Sequence, residues 1–168
     1  QHYKSGNSLI READYEKFSA LVSGLSAELW EEINELRNII NYKDLDASVL
    51  MAIYCSRLAF DKVDWGAKEF GVNIGSSRGA TSLFEKYHEE FLRSERGRVN
   101  TLSSPTTTLG NISSWVGHDL HNRGPVISHS IACSTALHGL LNGIAWINSG
   151  MSEYFIAGGS EASNTPFT

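Results

Sequence analysis

The chain has 168 residues, 41% of them hydrophobic and 20% charged, and 14 Lys and Arg against 19 Asp and Glu give a formal net charge of -5. That is enough for one domain with a real core, 1–168, and the composition is ordinary for a globular protein. The acidic balance argues against nucleic acid or an anionic membrane surface as partner, and no apolar run approaches the roughly 20 residues of a membrane span.

Residues 1–10 are polar and turn-like, without the apolar stretch of a signal peptide. A short helix is expected over 12–21. Ser26 is an N-cap candidate for a helix over 27–40, where Leu29, Ile33, Leu36 and Ile40 fall at helical spacing. A second long helix is expected over 44–63. It contains Cys55, which reads as a small core or helix-surface residue.

The pattern then changes. Phe70-Gly-Val-Asn-Ile74 reads as a strand ending in the glycine-containing turn 75–79, and a helix follows over 80–93. Gly71, Gly75 and Gly79 lack the Gly-Lys-Ser/Thr of a phosphate loop and the spacing of a dinucleotide fingerprint. Arg93, Arg96 and Arg98 form the one arginine cluster, read as a solvated helix end more readily than as a docking patch. Residues 97–114, rich in Ser, Thr, Gly and Asn, read as a long loop, and long loops are often functional. A short helix is expected over 112–120. Its His118 and His121 lack a visible third ligand, so no metal site is expected.

The last third is the most legible. Residues 126–132 alternate like a strand, a helix begins after Cys133 and ends at Gly150, and 153–157 reads as another strand. Strand, helix, strand implies a βαβ unit and a parallel sheet. Cys133 then sits where a strand turns into a helix, a bend that presents a side chain outward. The helix N-terminus favours the thiolate. The Cys133 N–H can serve as half of an oxyanion hole. Ala132, Ser134 and Thr135 leave room for a thioester. Taken alone, these features also fit a small residue in a tight junction. By alternation His129 would share the face of Cys133 but lie far along the strand.

The segment Val126-Ile-Ser-His-Ser-Ile-Ala-Cys-Ser-Thr135 resembles the nucleophile segment of the elongating β-ketoacyl-(acyl carrier protein) synthases, of the thiolase superfamily. Arg123-Gly-Pro125 matches the turn before that segment, and Ala157-Gly-Gly-Ser-Glu161 matches the family's Ala-Gly-Gly-x-Glu turn. Phe70-Gly-Val-Asn-Ile-Gly-Ser76 is similar to its glycine-rich strand end, and residues 3–8 to the end of its first helix region. The order of these landmarks makes the resemblance strong.

The resemblance implies a layered α/β/α, thiolase-like fold with a mixed, largely parallel sheet, present as an N-terminal half without the family's first strand and second half. It implies a decarboxylative Claisen condensation. An acyl group moves from an acyl carrier protein onto Cys133, and the carbanion from a malonyl thioester then attacks it. It further implies helix packing for His138, structural support for Glu161, and an acyl pocket lined by Thr106, Thr107, Thr108, Leu109 and Gly110. The catalytic histidines and lysine would lie in the second half, so this chain alone is expected not to complete the condensation. No cofactor is implied beyond the phosphopantetheine that arrives on the carrier protein. The implied partners are that carrier and a second ketosynthase chain, as homodimer or heterodimer, paired through 126–132. A reducing, cytoplasmic setting suits two cysteines at no framework spacing. The competing readings are a non-catalytic chain-length-factor-like partner, against which Cys133 argues, an unrelated cysteine hydrolase, and a binding or scaffold module.

Overall fold

The computed structural model describes residues 6, 8–64 and 69–167. Most of the 3–8 landmark lies outside them. The chain begins with an antiparallel hairpin, β1 (Ile10–Tyr15) and β2 (Phe18–Ser23). This corrects the helix expected over 12–21. Ala13, Tyr15, Ala20 and Val22 turn to the half-buried face in a period of two, and Tyr15 stacks on Phe18 across the turn at 5.0 Å. The two turn residues, Glu16 and Lys17, are not the Asn-Gly type that marks such a hairpin locally.

Helix α1 (Ala27–Asn34) starts where expected, with the Ser26 hydroxyl accepting from the Leu29 N–H at 3.3 Å. It stops earlier than the periodicity suggests and continues as two 3-10 turns, Glu35–Asn38 and Ile40–Tyr42. Arg37 pins this segment, donating to the Asn34 side chain and to the carbonyls of Lys43 and Leu45. Helix α2 (Ala47–Phe60) is capped by buried Asp46, which accepts from the Ser48 N–H and hydroxyl and from Ser82. Cys55 is exposed on its surface.

Strand β3 (Gly71–Gly75) is buried throughout. It forms the centre of a three-stranded parallel sheet, in the order β4 (Val126–Ile127), β3, β5 (Phe155–Gly159). Between β3 and β4 lie α3 (Thr81–Arg93), the five-residue α4 (Ser103–Thr107) and α5 (Asn111–Asp119). Between β4 and β5 runs α6 (Thr135–Asn148), ended by Gly150 at φ 71°. The crossover expected between the last two strands exists, but it passes over β3 rather than joining neighbours.

The expected loop 97–114 contains α4. Its threonines close the turn with their own hydroxyls: Thr106 donates to the Leu102 carbonyl at 2.6 Å and Thr107 to that of Ser103 at 2.7 Å. Pro105 sits in the first turn, where a missing N–H costs nothing.

The core joins α2, α5 and the sheet through Val49, Leu50, Ile53, Val72, Ile112 and Val116. One polar cluster sits at its edge. Arg57 donates to both oxygens of Asp119 at 2.8 and 2.6 Å, and Tyr42 donates to Oδ1 at 2.7 Å. Burial and the Asp119 carboxylate push the Tyr42 phenol up to about 12. Burial by itself would raise Asp119, but the hydrogen bonds from Arg57 and Tyr42 outweigh it and hold the carboxyl below the usual range. Among the described residues, no helix is long and apolar enough to cross a membrane.

Candidate active site around Cys133

The strand expected over 126–132 forms a ladder only at Val126 and Ile127. Beyond them the hydrogen-bonding groups of β3 are taken by a side chain: the Ser113 hydroxyl accepts from the Ile74 N–H and donates to the Ile74 carbonyl. Ser128 turns to the Gly110 carbonyl instead. Alternation therefore does not govern His129, whose ring lies between Asn73 and the Thr135 carbonyl.

The chain then bends sharply. Ala132 has φ 44°, a left-handed conformation uncommon outside glycine. The Ser134 and Thr135 N–H groups return to the carbonyls of Ile131 and Ala132. The Thr135 hydroxyl accepts from the Ile131 N–H at 2.8 Å and donates to the Ala132 carbonyl at 2.7 Å. Cys133 projects from this clasp just before α6 and is exposed.

The cysteine opens on a cavity of about 350 Å³ between the ends of β3 and β5 and the start of α6. The Ser160 N–H extends the β3–β5 ladder to the Gly75 carbonyl, and the Ser160 hydroxyl donates to the Ser48 carbonyl. Glu161 ties the two strand ends together. It accepts from the Ser76 hydroxyl at 3.1 Å, the Ser77 N–H at 2.8 Å and the Ser77 hydroxyl. Gly75 is required here, since a Cβ would lie 2.1 Å from Thr135 Cγ2. The strand end and the first turn of α6 are in direct contact.

The structure thus gathers Cys133 with Glu161. His138 stays on its own helix, where Nδ1 donates to the Ser134 carbonyl. Thr106, Thr107, Thr108, Leu109 and Gly110 do not line this cavity. Thr106 and Thr107 face α3, where Thr107 borders a separate hollow of about 270 Å³ with Phe84, Tyr87 and Phe91. Leu109 covers Gly79, and the link from Gly110 toward Cys133 runs through Ser128. Arg93 pairs with Glu89 along its own helix, and His118 packs edge-on against Trp115. Sequence reasoning missed Ser113, Asn73 and the Thr135 clasp. Ser113 and Asn73 act on residues 39 and 56 positions away that they meet only through the fold. The Thr135 clasp is local, reaching three and four residues back, and a threonine in the first turn of the helix was its one available signal.

A family model described as "Beta-ketoacyl synthase, N-terminal domain" matches residues 31–168. The chain is similar to 3-oxoacyl-[acyl-carrier-protein] synthase 2 of Vibrio cholerae, with 28% identity over 89% of this chain and 36% of that protein. It therefore spans well under half the length of the curated relatives it matches. Among solved structures, a β-ketoacyl synthase from Burkholderia phymatum superposes with a TM-score of 0.75 at 19% identity, over 98% of this chain and 42% of that one. The ishigamide ketosynthase/chain length factor gives a TM-score of 0.64 at 17% identity, over 71% of this chain and 31% of that one. At these identities the likeness to the two structures is one of fold.

Proposed function

The chain belongs to the β-ketoacyl synthase family, by its N-terminal domain, and on that premise we propose that Cys133 is the acyl-accepting nucleophile of a 3-oxoacyl thioester synthase. The observation that carries this is the placement of Cys133. It is exposed at a cavity, on a left-handed bend immediately ahead of a 14-residue helix.

In the first step Sγ attacks the carbonyl of an acyl thioester, the C–S bond to the carrier's pantetheine thiol breaks, and that thiol leaves with the proton. The Cys133 N–H stabilises the oxyanion. In the second, a malonyl thioester loses carbon dioxide and its carbanion attacks the acyl-Cys133 carbonyl. The cysteine thiolate leaves, and a 3-oxoacyl thioester two carbons longer is released. Glu161 holds the cavity floor in place. The 168-residue chain alone loads an acyl group without completing the condensation, since the resemblance places the decarboxylating histidines in a second half.

The carrier's phosphopantetheine is part of the substrate. Of the segment Thr106 to Gly110, Thr107 borders an apolar hollow with Phe84 and Phe91, apart from the Cys133 cavity, and the apolar lining of that hollow suits a hydrocarbon chain. The second partner is a related ketosynthase chain, paired along β4, which lies at the edge of its sheet among the described residues. The reaction belongs to fatty-acid or polyketide-type synthesis in the cytoplasm, where both free cysteines stay reduced.

The test is acyl loading from an acyl-carrier thioester, read by peptide mass spectrometry on the full chain, with Cys133→Ala as control and Cys55 as internal comparison. An adduct confined to the Cys133 peptide is expected. A folded chain without that adduct would favour a non-catalytic partner of the chain-length-factor kind.

A further inference from the structure

Asn73, fully buried on β3, and His129, half-buried beside the bend, carry two anomalies in one place. His129 Nδ1 lies 3.1 Å from Asn73 Oδ1, and Nε2 lies 3.1 Å from the Thr135 carbonyl oxygen. Both oxygens accept, yet a neutral imidazole has a single N–H to donate. The Asn73 amide nitrogen, meanwhile, is buried with no partner.

A half-turn of the Asn73 carboxamide exchanges its oxygen and nitrogen and addresses both anomalies. Nδ2 then donates to His129 Nδ1, and His129 Nε2–H donates to the Thr135 carbonyl. The groups left over are the amide oxygen and one Nδ2 proton, in place of two unused amide protons, and the imidazole then meets one donor and one acceptor. The alternative is an imidazolium donating to both oxygens. It leaves the nitrogen orphaned and sets a positive charge beside the first turn of α6, whose dipole is already positive there. Asn73 and Thr135 carry no charge, and among the described residues the titratable group facing His129 is His138, whose ring meets it edge-on at 6.2 Å and which donates to the Ser134 carbonyl.

Thr135 is the residue whose hydroxyl grips both Ile131 and Ala132 ahead of Cys133. We propose that Asn73, His129 and Thr135 form a positioning chain in which neutral, Nε2-protonated His129 fixes the bend that presents Cys133. This rests on the reading of Cys133 as the nucleophile. His129 is a positioning residue and touches no substrate.

Two measurements on the full chain test it. Side-chain ¹⁵N NMR reads the tautomer directly: Nε2–H with a bare Nδ1 at neutral pH is expected, and an imidazolium or an Nδ1–H form overturns the proposal. Alkylation by iodoacetamide, resolved by peptide, reads the presentation of Cys133. His129→Leu is expected to slow Cys133 about tenfold and leave Cys55 unchanged. His129→Gln, whose amide can donate to Thr135 and accept from Asn73, is expected to recover the rate to within about threefold. A wild-type rate in His129→Leu, or a His129→Gln as slow as His129→Leu, overturns the proposal. Should His129→Leu fail to fold, the tautomer and the His129→Gln rate decide. Iodoacetamide needs no acyl donor, so a failure of acyl loading alone would count against the nucleophile reading and not against the positioning chain.

Discussion

The Ser113 hydroxyl accepts a hydrogen bond from the Ile74 N–H at 2.8 Å and donates one to the Ile74 carbonyl at 2.9 Å. One side chain thereby does for Ile74 what a neighbouring strand would do, and the segment after Ile127 is free to leave the sheet and bend toward Cys133. Ser113→Ala strands both buried backbone groups. The expected loss of stability is about 2–3 kcal/mol, measured by urea unfolding. Ser114→Ala, one position along and exposed, should change stability by no more than about 0.5 kcal/mol.

Gly75 tests whether the strand end sets the position of α6. An alanine there meets Thr135 Cγ2, and the helix start must give way. Gly75→Ala is expected to destabilise by about 1–3 kcal/mol and to lower iodoacetamide labelling at Cys133 while sparing Cys55. Adding Thr135→Ser removes the offending methyl and keeps the hydroxyl clasp. The double variant should recover most of both losses. If it recovers neither, the coupling runs through the His129 carbonyl, the next group a Cβ would meet, at 3.2 Å.

The Arg57–Asp119–Tyr42 cluster predicts two limbs in stability against pH. The folded Asp119 carboxyl lies below its unfolded value, so its contribution is fully present above about pH 4 and is lost as pH falls through the lower folded value. The folded Tyr42 phenol is raised to about 12. Its contribution is fully present below about pH 10 and is lost as pH rises from there toward the folded value. Melting temperature against pH checks both limbs. Asp119→Asn should flatten the acid limb and cost about 2 kcal/mol at neutral pH. Tyr42→Phe should flatten the alkaline limb and also shrink the acid limb, because the Tyr42 hydroxyl is one of the two donors that hold Asp119 down.

Much of the architecture was legible along the chain because it is written in local periodicity. Ser26 capping α1, the strand at 70–74, the helix ending at Arg93, the helix after Cys133 and its end at Gly150 all depend on neighbours within a turn or two. The hairpin at Ile10–Tyr15 and Phe18–Ser23 was not legible as such. Its pairing spans a two-residue turn without glycine or asparagine, and short alternating segments with few apolar residues also fit a helix. Helix α4 was hidden by serine and threonine, which favour loops until their hydroxyls close back on the turn.

By itself the sequence determined that Cys133 heads a helix, that small residues surround it, and that ordered glycine-rich turns accompany it. These follow from residue type and spacing, which act over a few residues of chain. Only the tertiary structure decided how the cysteine is presented. Ser113 ends the ladder from 39 residues away, Glu161 bridges to Ser77 across 84, and Asn73 reaches His129 across 56. The Ser113 bond forms between buried groups that must find partners once water is excluded, and the other two lie partly or wholly at the surface; which partner each finds is set by how the strands and helices pack.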